Sequence, residues 1–398
     1  MVGAPYGARG ESEGAVRRLI VIAGLMACAS QGDPPGGPPD SLPPVLIATA
    51  PESGAVNVRP ERVEFRFDEV VNERPSGASS LDQLVLVSPT DGLPRVDWRR
   101  RSITVRPRRD WRADAVYTVT LLPGVADLRG NVMKSGKSVV FATGATIPDT
   151  RIAGTLYDWV AGNPARGGAV QAIALPDSTR YVARTDTAGR FVLPHVPAGT
   201  YAVRGWIDAN NNRDLDPREA YDSTSITLRD TASITLLAFV HDTLPPRINT
   251  VQPLDSVTLR VEFNQPLDPE QTVDTSLFRL TAADSSVVPL RAALSADVWE
   301  RARADSLARA DTTRRAPARA PAPVQRDSIV LPRPVPVSRF IVLTAVALQP
   351  ETTYRLVAVE ARNLLGRAGT SARVFTTSRR APAAAPSPAD TTRRAPPR

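Results

Sequence analysis

The feature that most limits what this chain can fold into is an internal repeat of short apolar segments. Six segments near the start recur, in the same order, near the end of the sequence. The paired segments are 63–67 with 257–263, 84–87 with 277–280, 103–105 with 340–343, 117–120 with 354–357, 126–131 with 361–366, and 140–143 with 374–377. Because the order is kept, the repeat predicts two copies of one structural unit, at 44–144 and 245–377.

Within each copy, apolar residues alternate with polar ones. Val63, Phe65 and Phe67 are separated by Glu64 and Arg66. A period of two is typical of a strand with one buried face, and the Gly, Pro, Asn and Asp residues between segments indicate turns. Short strands at this spacing predict an all-β fold of tandem β-sandwich modules.

Several marks give both copies a family resemblance. In the first copy they are the opening loop at 51–58, the strand end at 65–69, Tyr117 with the turn at 127–131, and the closing strand at 141–144. With these marks the copies resemble the bacterial Ig-like domain first recognised in S-layer proteins. The resemblance implies a spacer or adhesion-like module without catalytic residues. The second copy departs from it in a shortened opening loop at 251–256 and an insertion at 295–338.

Between the copies, residues 150–240 form a third module. The segment 185–193 is typical of a strand, a turn and a second strand, and 196–204 adds another strand. These segments resemble the transthyretin-like domain known as the carboxypeptidase regulatory-like domain. That resemblance implies a small accessory β-sandwich and no peptidase activity.

The N-terminal segment predicts export and lipid anchoring. Arg17 and Arg18 precede a short apolar run, and Leu25-Met26-Ala27 leads to Cys28, the single cysteine of the chain. A positive region, an apolar region and a small residue before the cleavage point make a secretory signal at 1–27. The cysteine placed there resembles the lipobox of bacterial lipoproteins, which implies lipidation at Cys28 and attachment to a membrane. The alternative is an ordinary signal peptide with a chance cysteine; a spanning helix is excluded, because it needs about 20 apolar residues.

The residues after the anchor predict a tether and a location. Residues 28–43 are rich in Pro and Gly, which cannot form a core, so we expect an extended, disordered tether. Ala29 is not an aspartate, and in some Gram-negative lipoproteins this favours the outer membrane. The cell envelope is therefore the expected location.

The insertion at 295–338 and the tail at 378–398 share an octapeptide, at 310–317 and 389–396. Both are rich in Ala, Pro and Arg, so both are predicted to be disordered, with a short helix possible only at 297–310. We interpret them as solvated linkers, the alternative being a basic arm that contacts cell-wall or lipopolysaccharide anions. The net charge of +8 does not predict nucleic-acid binding, because the arginines are scattered among acidic residues.

One segment, 208–219, has the spacing of a calcium-binding loop. The predicted ligands are Asp208, Asn210, Asn212, Asp214 through its backbone carbonyl, Asp216 and Glu219. The main departure is Arg213, where the pattern requires glycine for a sharp turn, so the arginine must adopt an unfavourable φ or the loop must open differently. A structural calcium ion is the expected cofactor; the alternative is an Asx-rich surface turn.

The sequence predicts no catalysis. His195 and His241 stand apart, and no thiol besides the anchor and no His-Glu-x-x-His or Gly-x-Ser-x-Gly pattern is present. We therefore expect a lipid-anchored envelope protein that acts as a structural spacer or as an adhesion or binding scaffold, with envelope polysaccharide or protein as a partner.

Two alternatives remain open. One is an accessory carbohydrate- or protein-binding subunit of an envelope enzyme or secretion complex. An exposed row of tryptophan or tyrosine on one sheet would favour it, and the candidates are Trp98, Trp111, Trp159 and Trp206. Otherwise these residues are expected in the cores. A hydrolase would need a pocket with convergent titratable groups.

Overall fold

The computed structural model describes residue 3 and residues 40–312 and 331–379. Cys28, most of the tether, the middle of the insertion and nearly all of the tail lie outside these residues. The prediction of an all-β fold of tandem β-sandwiches is confirmed, since the described strands form six sheets, paired as three sandwiches. Within the described residues, no helix combines the length and the apolar composition needed to cross a membrane.

The first module pairs a four-stranded sheet, in the order β1-β2-β5-β4, with a three-stranded sheet, β3-β6-β7. Its strands are β1 Leu46–Ala50, β2 Val63–Phe67, β3 Val85–Ser88, β4 Arg95–Arg99, β5 Ser102–Arg106, β6 Val116–Leu121 and β7 Lys137–Ala142, and a 3-10 helix, Leu81–Leu84, precedes β3. As the alternation predicts, Val63, Phe65 and Phe67 are fully buried in the core between the sheets. β3 lies at an edge, which leaves it open to a neighbour.

The second module pairs the sheet β11-β10-β13-β14 with the sheet β12-β8-β15, to which β9 adds. The strands are β8 Arg151–Asp158, β9 Asn163–Pro164, β10 Ala169–Leu175, β11 Arg180–Arg184, β12 Arg190–Pro194, β13 Gly199–Trp206, β14 Tyr221–Leu228 and β15 Thr231–Ala238. Along β13, Tyr201 and Val203 face the core, so Arg204 and Trp206 lie on the opposite face of the sheet. That outer face meets the first module.

The third module repeats the strand order of the first, with sheets β16-β17-β21-β20 and β19-β18-β22-β23. Its elements are β16 Ile248–Pro253, β17 Thr258–Phe263, a 3-10 helix Thr275–Leu277, β18 Phe278–Ala282, β19 Val287–Val288, β20 Leu290–Ser295, the helix α1 Ala296–Thr312, β21 Arg339–Thr344, β22 Thr353–Arg362 and β23 Ala368–Thr376. The paired segments of the sequence occupy equivalent strands in the two modules.

The turn near the end of each copy corrects the sequence alignment by one residue. The alignment of 126–131 with 361–366 sets Asp127 against Arg362. In the structure Asn363 takes the place of Asp127, since Asp127 bridges to Val71 and Asn363 bridges to Leu267. A register shift lies between Ala358 and Ala361 on β22, shortly before this turn.

The insertion is more structured than its composition predicts. Residues 296–312 form α1, which includes and extends the short helix expected at 297–310. The last part of the insertion, 331–338, packs between the second and third modules. There Leu331 joins an apolar cluster with Trp159 of the second module. Trp159 also accounts for the difference, since it offers a polar and aromatic surface that orders a proline-rich segment with few apolar residues.

Candidate metal loop and the joints between modules

The predicted calcium loop connects two neighbouring strands of the second module. β13 ends at Trp206 and β14 begins at Tyr221, and these residues face each other in the antiparallel pair. The pairing therefore brings the first and last loop positions, Asp208 and Glu219, together, and both residues are buried. The other predicted ligands stand at the exposed or half-buried rim: Asn210, Asn212, Asp214 and Asp216.

Hydrogen bonds connect these residues. Glu219 accepts from the backbone N–H groups of Ala209 at 2.9 Å and of Asp216 at 3.1 Å. The side-chain amides of Asn210 and Asn212 donate to Asp216 Oδ2 at 2.7 and 3.1 Å. The loop is therefore closed on itself, and one network contains the side chains of Asn210, Asn212, Asp216 and Glu219. The backbone N–H of Asp214 joins it by donating to Asn212 Oδ1 at 2.8 Å.

Asp208, the first loop position, has one satisfied and one unsatisfied oxygen. Its Oδ2 accepts from Arg184 Nη1 at 2.8 Å and from the backbone N–H of Arg213 at 3.2 Å. Its Oδ1 is buried and has no hydrogen-bond partner among the described residues. Such an orphaned acceptor costs about 1–3 kcal/mol, and an ion is one of the groups that can satisfy it. The donor set of Asp, Asn and Glu oxygens fits Ca²⁺.

Arg213 adopts the left-handed turn for which the loop pattern requires glycine. Its φ is +67°, and that of Asn211 is +58°. The sequence left two outcomes open, an unfavourable φ at Arg213 or a loop that opens differently. The structure has the unfavourable φ. For a residue with a Cβ this conformation costs about 1–2 kcal/mol, so other contacts must hold Arg213 in place.

Those contacts come from the first module. Arg213 Nη1 donates to the carbonyl oxygen of Val85 at 2.7 Å, and Nη2 donates to those of Asp82 at 2.9 Å and Gln83. The three carbonyls lie at the end of the 3-10 helix Leu81–Leu84, where the backbone N–H of Val85 bonds the Asp82 carbonyl and the guanidinium adds a further donor. Sequence reasoning missed this role, although the arginine at a glycine position was the signal for it.

The two modules also meet edge to edge. The backbone N–H of Thr90, just after β3, donates to the carbonyl of Arg180 at 2.7 Å. The N–H of Val182 donates to Ser88 Oγ at 3.1 Å. The edge of β3 is thereby covered by β11, which protects both strands from pairing with other chains. We call this contact, together with the Arg213 side chain, the first joint.

A cavity of about 300 Å³ lies at the first joint. Apolar and basic side chains of both modules line it, among them Leu86, Leu93, Arg108, Arg180, Val182 and Trp206. The indole N–H of Trp206 is buried and has no hydrogen-bond partner among the described residues. Arginines outnumber the lining carboxylates of Asp91 and Asp214, so the cavity is positively charged.

The second joint, between the second and third modules, is built differently. Trp159 Nε1 donates to the carbonyl of Pro334 at 2.9 Å, and the Arg333 guanidinium lies 4.4 Å from the centre of the Trp159 ring. Trp159 is almost fully buried against Phe239, Leu331 and Leu364. At the second joint, aromatic and cation–π contacts therefore accompany a side-chain bond to a carbonyl, whereas the first joint combines backbone and guanidinium hydrogen bonds.

The four candidate tryptophans form no exposed row. Trp111 is buried in the first core and Trp98 packs against it, as expected. Trp159 and Trp206 are also buried, yet they lie at the two joints rather than within a core. The expectation that all four fill cores is therefore wrong for these two.

The two histidines have structural partners. His195 Nδ1 lies 2.7 Å from the carbonyl of Pro148. His241 stacks on Tyr221 and Phe239, with ring centres 3.8 and 4.2 Å apart. Both rings therefore have hydrogen-bond or stacking partners within the fold.

Among the described residues, one group of carboxylates converges to within 4.8 Å: Asp40, Glu69 and Asp127. Asp127 is buried, and both of its oxygens accept hydrogen bonds, from the N–H groups of Arg129 and Asn131 and from the Asn131 amide. Desolvation and the charges of Asp127, Asp40 and Asp68 raise the pKa of Glu69. Because Asp127 is fully satisfied, we interpret this group as a structural turn.

Comparison with known proteins identifies the first module. The bacterial Ig-like domain family matches residues 40–143. No curated protein matches the sequence. Solved structures with a similar arrangement include an L,D-transpeptidase from Mycobacterium smegmatis, 17% identical over 48% of this chain and 77% of that one, with a TM-score of 0.19.

Two further structures are of surface proteins. The major pilin subunit of Bacillus cereus is 9% identical over 47% of this chain and 67% of that one, with a TM-score of 0.19. The N-terminal part of a bacterial S-layer protein is 12% identical over 48% and 44%, with a TM-score of 0.20. At such scores we draw nothing from these proteins about what this chain does. Residues 40–143, the first of three β-sandwich modules in series, thus match the bacterial Ig-like domain family.

Proposed function

We propose that this protein is a lipid-anchored structural spacer or binding scaffold of the bacterial cell envelope, without catalytic activity. The observation that carries the proposal is the series of three sandwiches, the first a bacterial Ig-like domain, connected through two packed joints. Packed contacts between modules restrict how they move relative to one another, which a spacer requires and a flexible string of domains lacks.

The anchor is proposed from the sequence, because Cys28 lies outside the described residues. Acyl chains on Cys28 would hold the protein at the outer membrane, since each buried methylene contributes about 0.8 kcal/mol. The test compares wild type with Cys28→Ala in a related host, by membrane fractionation, mass spectrometry and protease access on whole cells. Acylated membrane-bound wild type and soluble Cys28→Ala support the anchor, and protease access then tells the outer face from the periplasmic one. Unmodified wild type would contradict it.

Calcium is proposed as a structural ion of the second module, held by residues 208–219. The support is the buried unpartnered Oδ1 of Asp208, next to the buried carboxylate of Glu219. Calcium titration of the full-length chain by calorimetry tests it. Asp208→Asn should weaken binding on the order of tenfold or more, since it removes a charged ligand.

Asp214→Asn is the matched control in the same loop. It removes an equal charge, but position 7 of the pattern binds through the backbone carbonyl, so the loss should be smaller. Equal effects of the two substitutions would indicate general electrostatics rather than ligation. Absence of calcium binding by the wild type would leave the Asx-rich turn as the explanation.

The alternative function, an accessory binding subunit, is favoured by the positively charged cavity at the first joint. Its arginines and the buried Trp206 suit an acidic saccharide, through ion pairs and ring stacking. Binding of acidic envelope oligosaccharides to the full-length chain, with Arg108→Ala and Arg180→Ala compared with the exposed Arg95→Ala, tests it. Weakening by the first two alone supports this function, and equal affinity in all three contradicts it.

A further inference from the structure

The calcium loop and the first joint share one residue, Arg213. Its backbone N–H donates to Asp208 Oδ2 at 3.2 Å, which closes the loop on its first ligand. Its guanidinium donates to the carbonyls of Asp82, Gln83 and Val85 in the first module. The backbone of Arg213 thus belongs to the candidate metal site and its side chain to the contact between modules.

The position of the guanidinium depends on the shape of the loop. Arg213 can reach the first module from here because its backbone is held at φ +67°. That conformation is disfavoured for arginine, so relaxation of the loop towards ordinary φ values would redirect the side chain. The neighbouring loop residues Asn212 and Asp214 line the cavity between the two modules, so a change in the loop also changes that surface.

Charge acts in the same direction. Four carboxylates lie in the loop, at Asp208, Asp214, Asp216 and Glu219. Arg184 offsets the charge of Asp208 at its Oδ2, and repulsion among the remaining carboxylate charges favours opening of the loop. A divalent ion on Asp208 Oδ1 would remove this repulsion and hold the turn at Arg213. The guanidinium remains charged at neutral pH, although burial and the charge of Arg184 lower the pKa of Arg213 to about 10.

We infer that calcium in the loop locks the joint between the first and second modules, with Arg213 as the connecting residue. The inference rests on the calcium binding proposed above and adds a mechanical consequence to it. This explains why arginine stands at the glycine position. Glycine would adopt the turn without strain, but it has no side chain that could connect the metal loop to the first module. Calcium concentration would set how stiff the spacer is near its membrane end.

The test measures the distance between the modules in the full-length chain with and without calcium. Nitroxide labels at Arg99→Cys and Thr187→Cys, both exposed, in a Cys28→Ala background report the distribution by pulsed electron paramagnetic resonance. Calcium affinity is measured by calorimetry on the same samples. In the wild-type loop we expect calcium to narrow the distance distribution at least twofold.

Arg213→Gly is the decisive variant, since it suits the turn and removes only the side chain. We expect this variant to bind calcium at least as tightly as the wild type. Calcium should not narrow its distribution of distances between the two labels. Arg218→Gly is the matched control: it removes an exposed arginine of the same loop and should narrow as the wild type does.

The outcomes separate the two proposals. The proposed lock is wrong if calcium binds to the wild type without narrowing the distance distribution. It is also wrong if the distribution of Arg213→Gly narrows as much as that of the wild type. In both cases the proposed metal site is still supported. If the wild type binds no calcium by calorimetry, the proposed metal site fails and the lock fails with it.

Discussion

The first and third modules have the same polar framework in different chemical versions. In each, a buried tyrosine accepts a backbone hydrogen bond from the residue five positions earlier, Tyr117 from Arg112 and Tyr354 from Gln349. In each, a threonine after the last strand, Thr143 or Thr377, bonds back to the chain before β6 or β22. Asp68 in one and Asn264 in the other accept from the backbone of the entering strand.

The modules differ most at one buried turn. Asn363 accepts from the N–H groups of Leu365 and Arg367 and donates its amide to the carbonyls of Asp242 and Leu244. Asp127 accepts from the equivalent backbone groups but cannot donate. There the Asn131 amide serves instead, donating to Asp127 and to the carbonyl of Asp40.

The difference teaches that this fold preserves hydrogen bonds rather than residues. The turn needs two acceptor bonds within it and a donor towards the entering chain, and either one asparagine or an aspartate with a second asparagine supplies them. A carboxylate is tolerated in the first module because a donor faces it.

The largest expected effect comes from Asn363→Asp, which places a carboxylate where two carbonyls await a donor. The third module should lose about 2–4 kcal/mol of unfolding free energy at neutral pH, since the buried position 363 would carry a carboxylate that faces two carbonyl oxygens deprived of their donor. Denaturant unfolding of the full-length chain, followed by circular dichroism, measures this loss of unfolding free energy. The double variant Asn363→Asp with Arg367→Asn copies the pair Asp127 and Asn131 of the first module and should recover part of the lost unfolding free energy. If nothing is recovered, the two turns are not chemically equivalent.

A smaller and equal effect is expected from Tyr117→Phe and Tyr354→Phe. Each leaves one backbone N–H, that of Arg112 or Gln349, without its hydroxyl acceptor. Each module should lose about 1 kcal/mol. Hydrogen exchange at these two amides checks it, and faster exchange in one module alone would mean that the two tyrosines are not equivalent.

The smallest effect concerns pH. Burial by itself would raise the pKa of Asp127, but hydrogen bonds from Asn131, Arg129 and Gly130 hold it below the usual value. The ionised carboxylate therefore stabilises the fold above the unfolded pKa, near 4, and this contribution is lost as the pH falls through the lowered folded pKa.

Asp127→Asn removes that contribution. Between about pH 5 and pH 3, the first module of this variant should lose less unfolding free energy than the wild type does. Urea unfolding across this range measures the difference, with Asp230→Asn, an exposed acid of the second module, as the control. If the unfolding free energy of Asp127→Asn falls with pH as steeply as that of the wild type, other groups govern acid unfolding.

Strand positions and the loop were predictable because they depend on local patterns. The alternation at Val63, Phe65 and Phe67 fixes which face is buried, and the spacing from Asp208 to Glu219 fixes which side chains can share an ion. The one-residue offset of Asn363 was not predictable, because the equivalence of the two turns is fixed by bridges to residues distant along the chain, Asp127 to Val71 and Asn363 to Leu267.

By itself, therefore, the sequence determined the all-β class, the repeated strand order and the residues of the candidate metal loop. Only the tertiary structure decided where Trp159, Trp206 and Arg213 act, namely between modules. The physical reason is that a joint forms from surfaces distant along the chain: the carbonyls that bind Arg213 lie about 130 residues away from it, and no local period records that meeting.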